Sequence, residues 1–313
     1  VDESLKSLPG RSVLKGRRQR DMKILVVGAT GVLGLDIARR LVAGGHAVAG
    51  LVRPGSAKEG RVRGLGVEVR PGDLRAQGTL EDACRGIEMV VATATSVTSG
   101  GSENSLRDVD GEGYQRLISA AKRQGVKRFV YVSASPNLSE ASPLMACKRA
   151  TERTLRASGL EYVILQPSCF MDVWFSPALG WDFKAGKAQI FGAGTAPLNY
   201  VCVADVAAYT AAVATDPKVK DQDIPFGGPQ ALSPREALGI IEQAVGKRFK
   251  VTALPGFVPR AAAAVLKPFN PKLASLMALG AESIGGDAID LAKARSLADV
   301  RLTSLAEWAA RPS

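Results

Sequence analysis

A single histidine and four scattered cysteines in a chain of 313 residues leave little from which to build a metal centre. His46 follows Gly44-Gly45, where a helix should turn into a strand, and reads as a turn residue rather than a catalytic one. Cys84, Cys147, Cys169 and Cys202 form no CxxC pair, which excludes a zinc ribbon and a disulfide framework and fits a reducing compartment. No metal is expected. Long apolar runs are also missing: the alanine-rich stretches are broken by Arg260, Lys267 and Pro268, well short of the ~18 residues that span a bilayer. The chain has neither an RNA-binding aromatic signature nor a helix-turn-helix cue, so its formal net charge of +11 points to a small anionic ligand rather than nucleic acid.

Part of that charge is local. Residues 1–22 hold six basic and three acidic side chains but no apolar core, so they are not a secretory signal, and Arg17-Arg18 is not followed by a twin-arginine pattern. This leader is a cloning remnant, an upstream start ahead of Met22, or the stub of a transit sequence, and is expected to lie outside the fold without fixed structure. The matching location is the cytoplasm or, if the leader is a transit remnant, a plastid.

With 46% hydrophobic and 23% charged residues the remainder is ordinary globular sequence. From Lys23 onward short apolar runs alternate with amphipathic stretches. Strands are predicted at Ile24–Val27, His46–Val52, Val67–Val69, Met89–Ala92, Arg128–Ser133 and Tyr162–Leu165. Helices are predicted after the first strand through Leu41 and at 79–86, 108–124 and 143–158, with Gly125 and Gly159 as stops. This alternation specifies an α/β fold, a Rossmann-like doubly wound parallel sheet covered on both faces. After residue 167 the rhythm changes. Phe170, Trp174, Phe175, Trp181 and Phe183 crowd into 14 residues, and Ser233-Pro234-Arg235-Glu236 opens a helix with a capping box. Further helices are expected through Ala261–Leu266 and Leu273–Leu279. The expected organisation is therefore a leader over 1–22, a dinucleotide-binding domain over 23–167, and a smaller, mostly helical lobe over 168–313, interleaved with that domain.

The strongest motif is Gly28-Ala29-Thr30-Gly31-Val32-Leu33-Gly34, between the first strand and first helix. Gly28 permits the tight turn, Gly31 lets the backbone approach a pyrophosphate, Gly34 allows close helix–strand packing, and the helix start supplies N–H groups for the phosphates. An acidic residue ending the second strand would bind the ribose of NAD; here the run is Leu51-Val52-Arg53-Pro54. Arg53 suits a 2′-phosphate, with Lys58 nearby, although an exposed loop arginine is the plainer reading. NADP(H) is the expected cofactor. Asp73 is either an acceptor for the adenine amino group, with Leu74 on the ring, or a turn cap. Thr93-Ala94-Thr95, after the fourth strand, should pass beside the adenosine and ribose.

Together these residues resemble the atypical short-chain dehydrogenase/reductase superfamily, in its NmrA-like and isoflavone-reductase-like branch. The resemblance covers about 23 to 250 and also rests on Gly72-Asp73-Leu74, Gly125 through Ser133, Ser158 through Pro167, Tyr200-Val201 and Asp205-Val206-Ala207. It implies either a NADPH-dependent reductase of phenylpropanoids or quinones, a redox-sensing regulator, or a photosystem assembly factor. The superfamily's Tyr-x-x-x-Lys pair is missing. Four residues after the five tyrosines stand Ile118, Ser135, Gln166, Ala204 and Val213, and four before Lys148 stands Leu144. The resemblance leaves Lys148 as ribose ligand and general acid or electrostatic stabiliser, unless it is one more solvated helix lysine. Ser133 and Ser135 are candidate donors to a substrate carbonyl, or helix caps. Pro167 and Phe170 complete the expected cofactor contacts, and the aromatic cluster is either an apolar wall for a flat substrate or a staple for the second lobe. The reading is a NADPH-dependent reductase of a hydrophobic, aromatic or enone-like small molecule; its competitor is a non-catalytic NADP(H)-binding sensor or assembly factor with a protein partner.

Overall fold

A computed structural model describes residues 22–97 and 105–311. The basic leader therefore lies outside the described residues, apart from Met22. The strands are β1 (Lys23–Val27), β2 (Ala47–Val52), β3 (Glu68–Pro71), β4 (Met89–Ala92), β5 (Arg128–Val132), β6 (Glu161–Pro167), β7 (Lys187–Phe191), β8 (Gln222–Phe226) and β9 (Lys250–Leu254). The α-helices are α1 (Val32–Ala43), α2 (Glu59–Arg63), α3 (Gln77–Cys84), α4 (Glu112–Arg123), α5 (Pro143–Arg156), α6 (Met171–Trp174), α7 (Val203–Thr215), α8 (Pro234–Val245), α9 (Phe257–Leu266), α10 (Pro271–Glu282), α11 (Ala292–Leu297) and α12 (Leu305–Ala309). A π-helical turn, Arg107–Gly111, leads into α4.

Seven strands form one parallel sheet in the order β3-β2-β1-β4-β5-β6-β8. Alternate β1 residues feed opposite cores. Ile24 and Val26 pack on one face with Ile37 and Leu41 of α1 and Val206 and Val213 of α7; Leu25 and Val27 pack on the other with Leu80, Leu117 and Leu155. Burial on both faces is why the strands read as continuous apolar runs. Chain direction across the sheet reverses between β1 and β4, and ligands of open α/β sheets bind at the strand carboxyl ends of such a switch point. The loops after those two strands are Gly28–Gly34 and Thr93–Thr95.

The seventh strand carries no clear sequence signal, since Gln222-Asp223-Ile224-Pro225-Phe226 holds a proline. Among the described residues it pairs only with β6, and an edge strand tolerates proline because one side of its ladder is not needed. This strand, with α7 against α1, brings part of the second half of the chain into the first sheet. The remaining lobe holds a two-stranded parallel ladder of β7 and β9 over a core of Phe175, Trp181, Tyr200, Ile241, Phe249 and Leu305. Ser233 caps α8 through the full reciprocal box with Glu236. α10 pairs with α9 and rests on the start of α5, where the Leu144 N–H donates to Ser275 Oγ at 3.3 Å. Among the described residues, no helix is long and apolar enough to cross a membrane.

Candidate active site

The glycine loop separates the needs of the fold from those of a ligand. Gly28 has φ +98, and a Cβ there would lie 2.7 Å from Thr93 Oγ1 and 2.8 Å from the Ala94 nitrogen. A Cβ at Gly34 would lie 2.2 Å from the Gly28 carbonyl oxygen. The fold itself therefore demands both glycines. Gly31 has an ordinary φ of −83, is exposed, and would bring its Cβ no closer than 3.3 Å to a single oxygen. Its missing side chain leaves a cradle at the start of α1, whose first turn receives no side-chain cap. Ser142 caps α5, and complete boxes close α8 and α12. Ala29 is buried, Thr30 and Leu33 are half-buried, and Val32 is 73% exposed beside the cradle. An open helix start with its N–H groups and positive dipole end fits a pyrophosphate.

Pairing of Val52 with Pro71, and of the Gly72 N–H with the Val52 carbonyl at 3.0 Å, brings Arg53 beside Asp73. Burial alone would raise the Asp73 pKa. Hydrogen bonds from the Arg75 side chain and backbone outweigh it, and with the charges of Arg75 and Arg53 they hold the carboxyl low. Asp73 thus makes an Asx turn to the Arg75 N–H at 2.9 Å and pairs with its guanidinium. Leu74 is buried in the core beneath α4, and Arg53 is exposed. Thr93 donates its N–H to the Val27 carbonyl at 2.8 Å, while the Ala94 carbonyl accepts from Tyr114 at 2.7 Å; Thr93, Ala94 and Thr95 are all half-buried.

Lys148 lies at the carboxyl end of β5. Its ammonium donates to the Val132 carbonyl at 3.2 Å and sits 5.3 Å from the Tyr131 ring centroid. Burial lowers its pKa, opposed by the carboxylates of Asp110 and Glu152 and aided by the Arg149 guanidinium. Those two buried acids were not singled out by sequence reasoning. Asp110 accepts from Ser96, N–H at 2.9 Å and hydroxyl at 2.6 Å. Glu152 accepts from Ser133 Oγ at 2.6 Å, Gln166 at 3.2 Å, Arg149 at 2.5 Å and Arg156 at 3.1 Å. The Ser133 proton is thus engaged by Glu152 rather than directed outward. A signal for Glu152 was present: Leu144, Lys148, Glu152 and Leu155 fall at helical spacing, so a half-buried lysine and a buried glutamate share the inward stripe of α5. Burial raises the pKa of both Tyr114 and Tyr131, keeping those phenols protonated. It also pushes the Cys84 thiol up to about 12 and raises Cys147 and Cys169, so none of the three is a thiolate nucleophile.

Ser135 donates to Asp287, a buried carboxylate that also accepts from Ser168 Oγ at 2.6 Å and Asn137 at 2.9 Å, tying the lobe to the ends of β5 and β6. Pro167 is buried at the end of β6, and half-buried Phe170 packs on the α1/α7 core. The aromatic cluster is mostly packed upon itself, with Phe175 in contact with Trp181, Tyr200 and Trp308. The cavity against it encloses about 40 Å³, room for a water or two.

Residues 28–217 match the family model described as NAD(P)H-binding. The chain belongs to that family. Its motifs carry the NmrA-like, isoflavone-reductase-like resemblance, and the cofactor is NAD(P)H. This NAD(P)H-binding chain is 32% identical over 78% of its length to the chloroplastic protein High Chlorophyll Fluorescence Phenotype 244 of Arabidopsis thaliana, of which it spans 61%. It is 29% identical to the photosystem II assembly factor Ycf39 of a Synechocystis strain, covering 76% of this chain and 72% of the other. Among solved structures, the Escherichia coli NADPH-dependent quinone oxidoreductase QOR2 complexed with NADPH superposes with a TM-score of 0.72 at 25% identity, over 91% of this chain and 98% of that one.

Proposed function

We propose that this protein is a NADPH-dependent reductase of a hydrophobic, aromatic or enone-like small molecule. The observation that carries the reading is the open α1 start: a cradle at Gly31 that the fold does not require, with an arginine rather than a carboxylate at the end of β2. When bound, NADPH supplies the hydride. The first-turn N–H groups of α1 hold the pyrophosphate, and Arg53, with Lys58 near it, holds the 2′-phosphate. Lys148 stabilises negative charge developing on the substrate oxygen and delivers a proton there; its lowered pKa makes it a better acid than a solvated lysine. Ser133 and Arg149 fix the Glu152 carboxylate that keeps this buried ammonium charged. The likeness to a NADPH-dependent quinone oxidoreductase supports this reading.

One observation favours a second reading. The missing tyrosine removes the superfamily's usual acid, and the aromatic residues of 170–183 pack on one another rather than standing open as a wall for a flat substrate. In this reading the chain holds NADP(H) as a sensor or assembly factor and acts through a protein partner, as the name of the Ycf39 relative suggests. NADPH oxidation followed against a panel of quinones, enones and phenylpropanoids separates the two. Turnover that collapses in Lys148→Met supports the reductase; bound NADPH that none of the acceptors consumes favours the sensor.

A further inference from the structure

Helix α9 is apolar on its outer side as well as on its inner one. Its inner face, with buried Pro259, packs on α10. The outer face would be polar in an ordinary surface helix; here Phe257, Ala261, Ala264 and Val265 recur at i, i+4, i+7 and i+8, and all are exposed. Phe257 is 70% and Val265 66% exposed, and Phe269, just past the helix, reaches 84%. Isolated exposed apolar residues need no explanation, but a continuous stripe of them marks a contact surface.

The sequence that carries the stripe is basic. Between Glu242 and Glu282 the chain carries Lys247, Arg248, Lys250, Arg260, Lys267 and Lys272 and no acidic residue. Exposed Lys187 stands beside Lys250 in the β7–β9 ladder and extends the basic rim. We infer that α9 and the loop through Phe269 form an in-plane anchor that docks this protein on an anionic lipid surface. Ten helical residues span about 15 Å, half of a ~30 Å hydrocarbon core, so the helix lies in the interface rather than crossing it. Phe257, Val265 and Phe269 enter the acyl boundary while the lysines and arginines meet the headgroups. A second copy fits this face poorly, because pairing would bring two cationic rims together.

Co-sedimentation of the full chain with vesicles tests the inference. Vesicles of phosphatidylcholine with about a third phosphatidylglycerol should capture the protein, and phosphatidylcholine alone should hold far less. Salt at ~1 M, where the Debye length is ~3 Å, should release most of it. In Phe257→Ser/Phe269→Ser, binding should fall about tenfold for each phenylalanine lost, while an unchanged melting temperature shows that the fold is intact. Absence of binding to the phosphatidylglycerol vesicles, or unchanged binding by a folded double variant, overturns the proposal. So does a lipid-independent dimer in sedimentation velocity that the double variant abolishes, which would give the stripe to a second copy.

Discussion

At Ser233 the chain closes the first turn of α8 with its own side chains; at Gly31 it leaves the first turn of α1 open. Both helices are 12 residues long and both have a positive dipole end. The α8 box satisfies two donors locally and gains stability, typically ~1 kcal/mol for such a cap. The α1 start forgoes that gain and offers its N–H groups to a partner. Other helices here also start uncapped, α9 at Gly256 among them, so what sets the α1 start apart is its place: it opens at the carboxyl end of β1, at the switch point of the sheet.

The largest effect is expected at Gly34, where a Cβ meets the Gly28 carbonyl at 2.2 Å. Gly34→Ala should cost about 3 kcal/mol or more, because backbone must move, and should take cofactor binding with it. Thermal unfolding checks this; a melting temperature near the parent's would show that the loop is slack. Next comes Lys148→Met, expected to lower turnover about 10²–10⁴-fold with a much smaller change in NADPH affinity. Because burial depresses the Lys148 pKa, activity that needs the protonated amine should be full below that pKa and fall as pH rises through it, at lower pH than for a solvated lysine. A flat profile or near-parent turnover would remove Lys148 from the chemistry. Arg53→Ala should weaken NADPH binding roughly 10–150-fold and leave NADH almost unchanged. Equal losses by calorimetry would sink the 2′-phosphate assignment. Ser233→Ala should be mildest, lowering stability by ~1 kcal/mol in denaturant unfolding without affecting NADPH affinity. A change in that affinity would mean that the two helix starts are not independent.

The sheet and its glycine loop were legible in the sequence because their signals are local: apolar β-branched runs, a glycine at each forced turn, and stops at Gly125 and Gly159, both with positive φ. Element ends shifted by a few residues: the sixth strand runs Glu161–Pro167, α1 reaches Ala43 and α5 stops at Arg156. The third strand runs Glu68–Pro71, α3 is Gln77–Cys84, and α4 gives up its first residues to a π-helical turn. β7, β8 and β9 escaped notice: Pro225 interrupts β8, and β9 is mostly exposed, so neither shows the continuous apolar run of the central strands. The network around Lys148 was half visible. Lys148 stood out through resemblance and Glu152 was marked by its helical spacing, whereas Asp110 and Asp287 meet the ends of β4, β5 and β6 only after folding, and no local pattern announces a buried carboxylate shared by distant hydroxyls.

Gly31→Val tests the open helix start most directly, with melting and NADPH titration measured on the same sample. Gly31 has an extended backbone that valine adopts readily, and its Cβ touches one oxygen at 3.3 Å, so the variant should unfold close to the parent temperature. It should bind neither NADPH nor NADH, because the side chain fills the space the pyrophosphate needs. A folded Gly31→Val protein with parent-like NADPH affinity would contradict the assignment of the α1 start as the cofactor cradle.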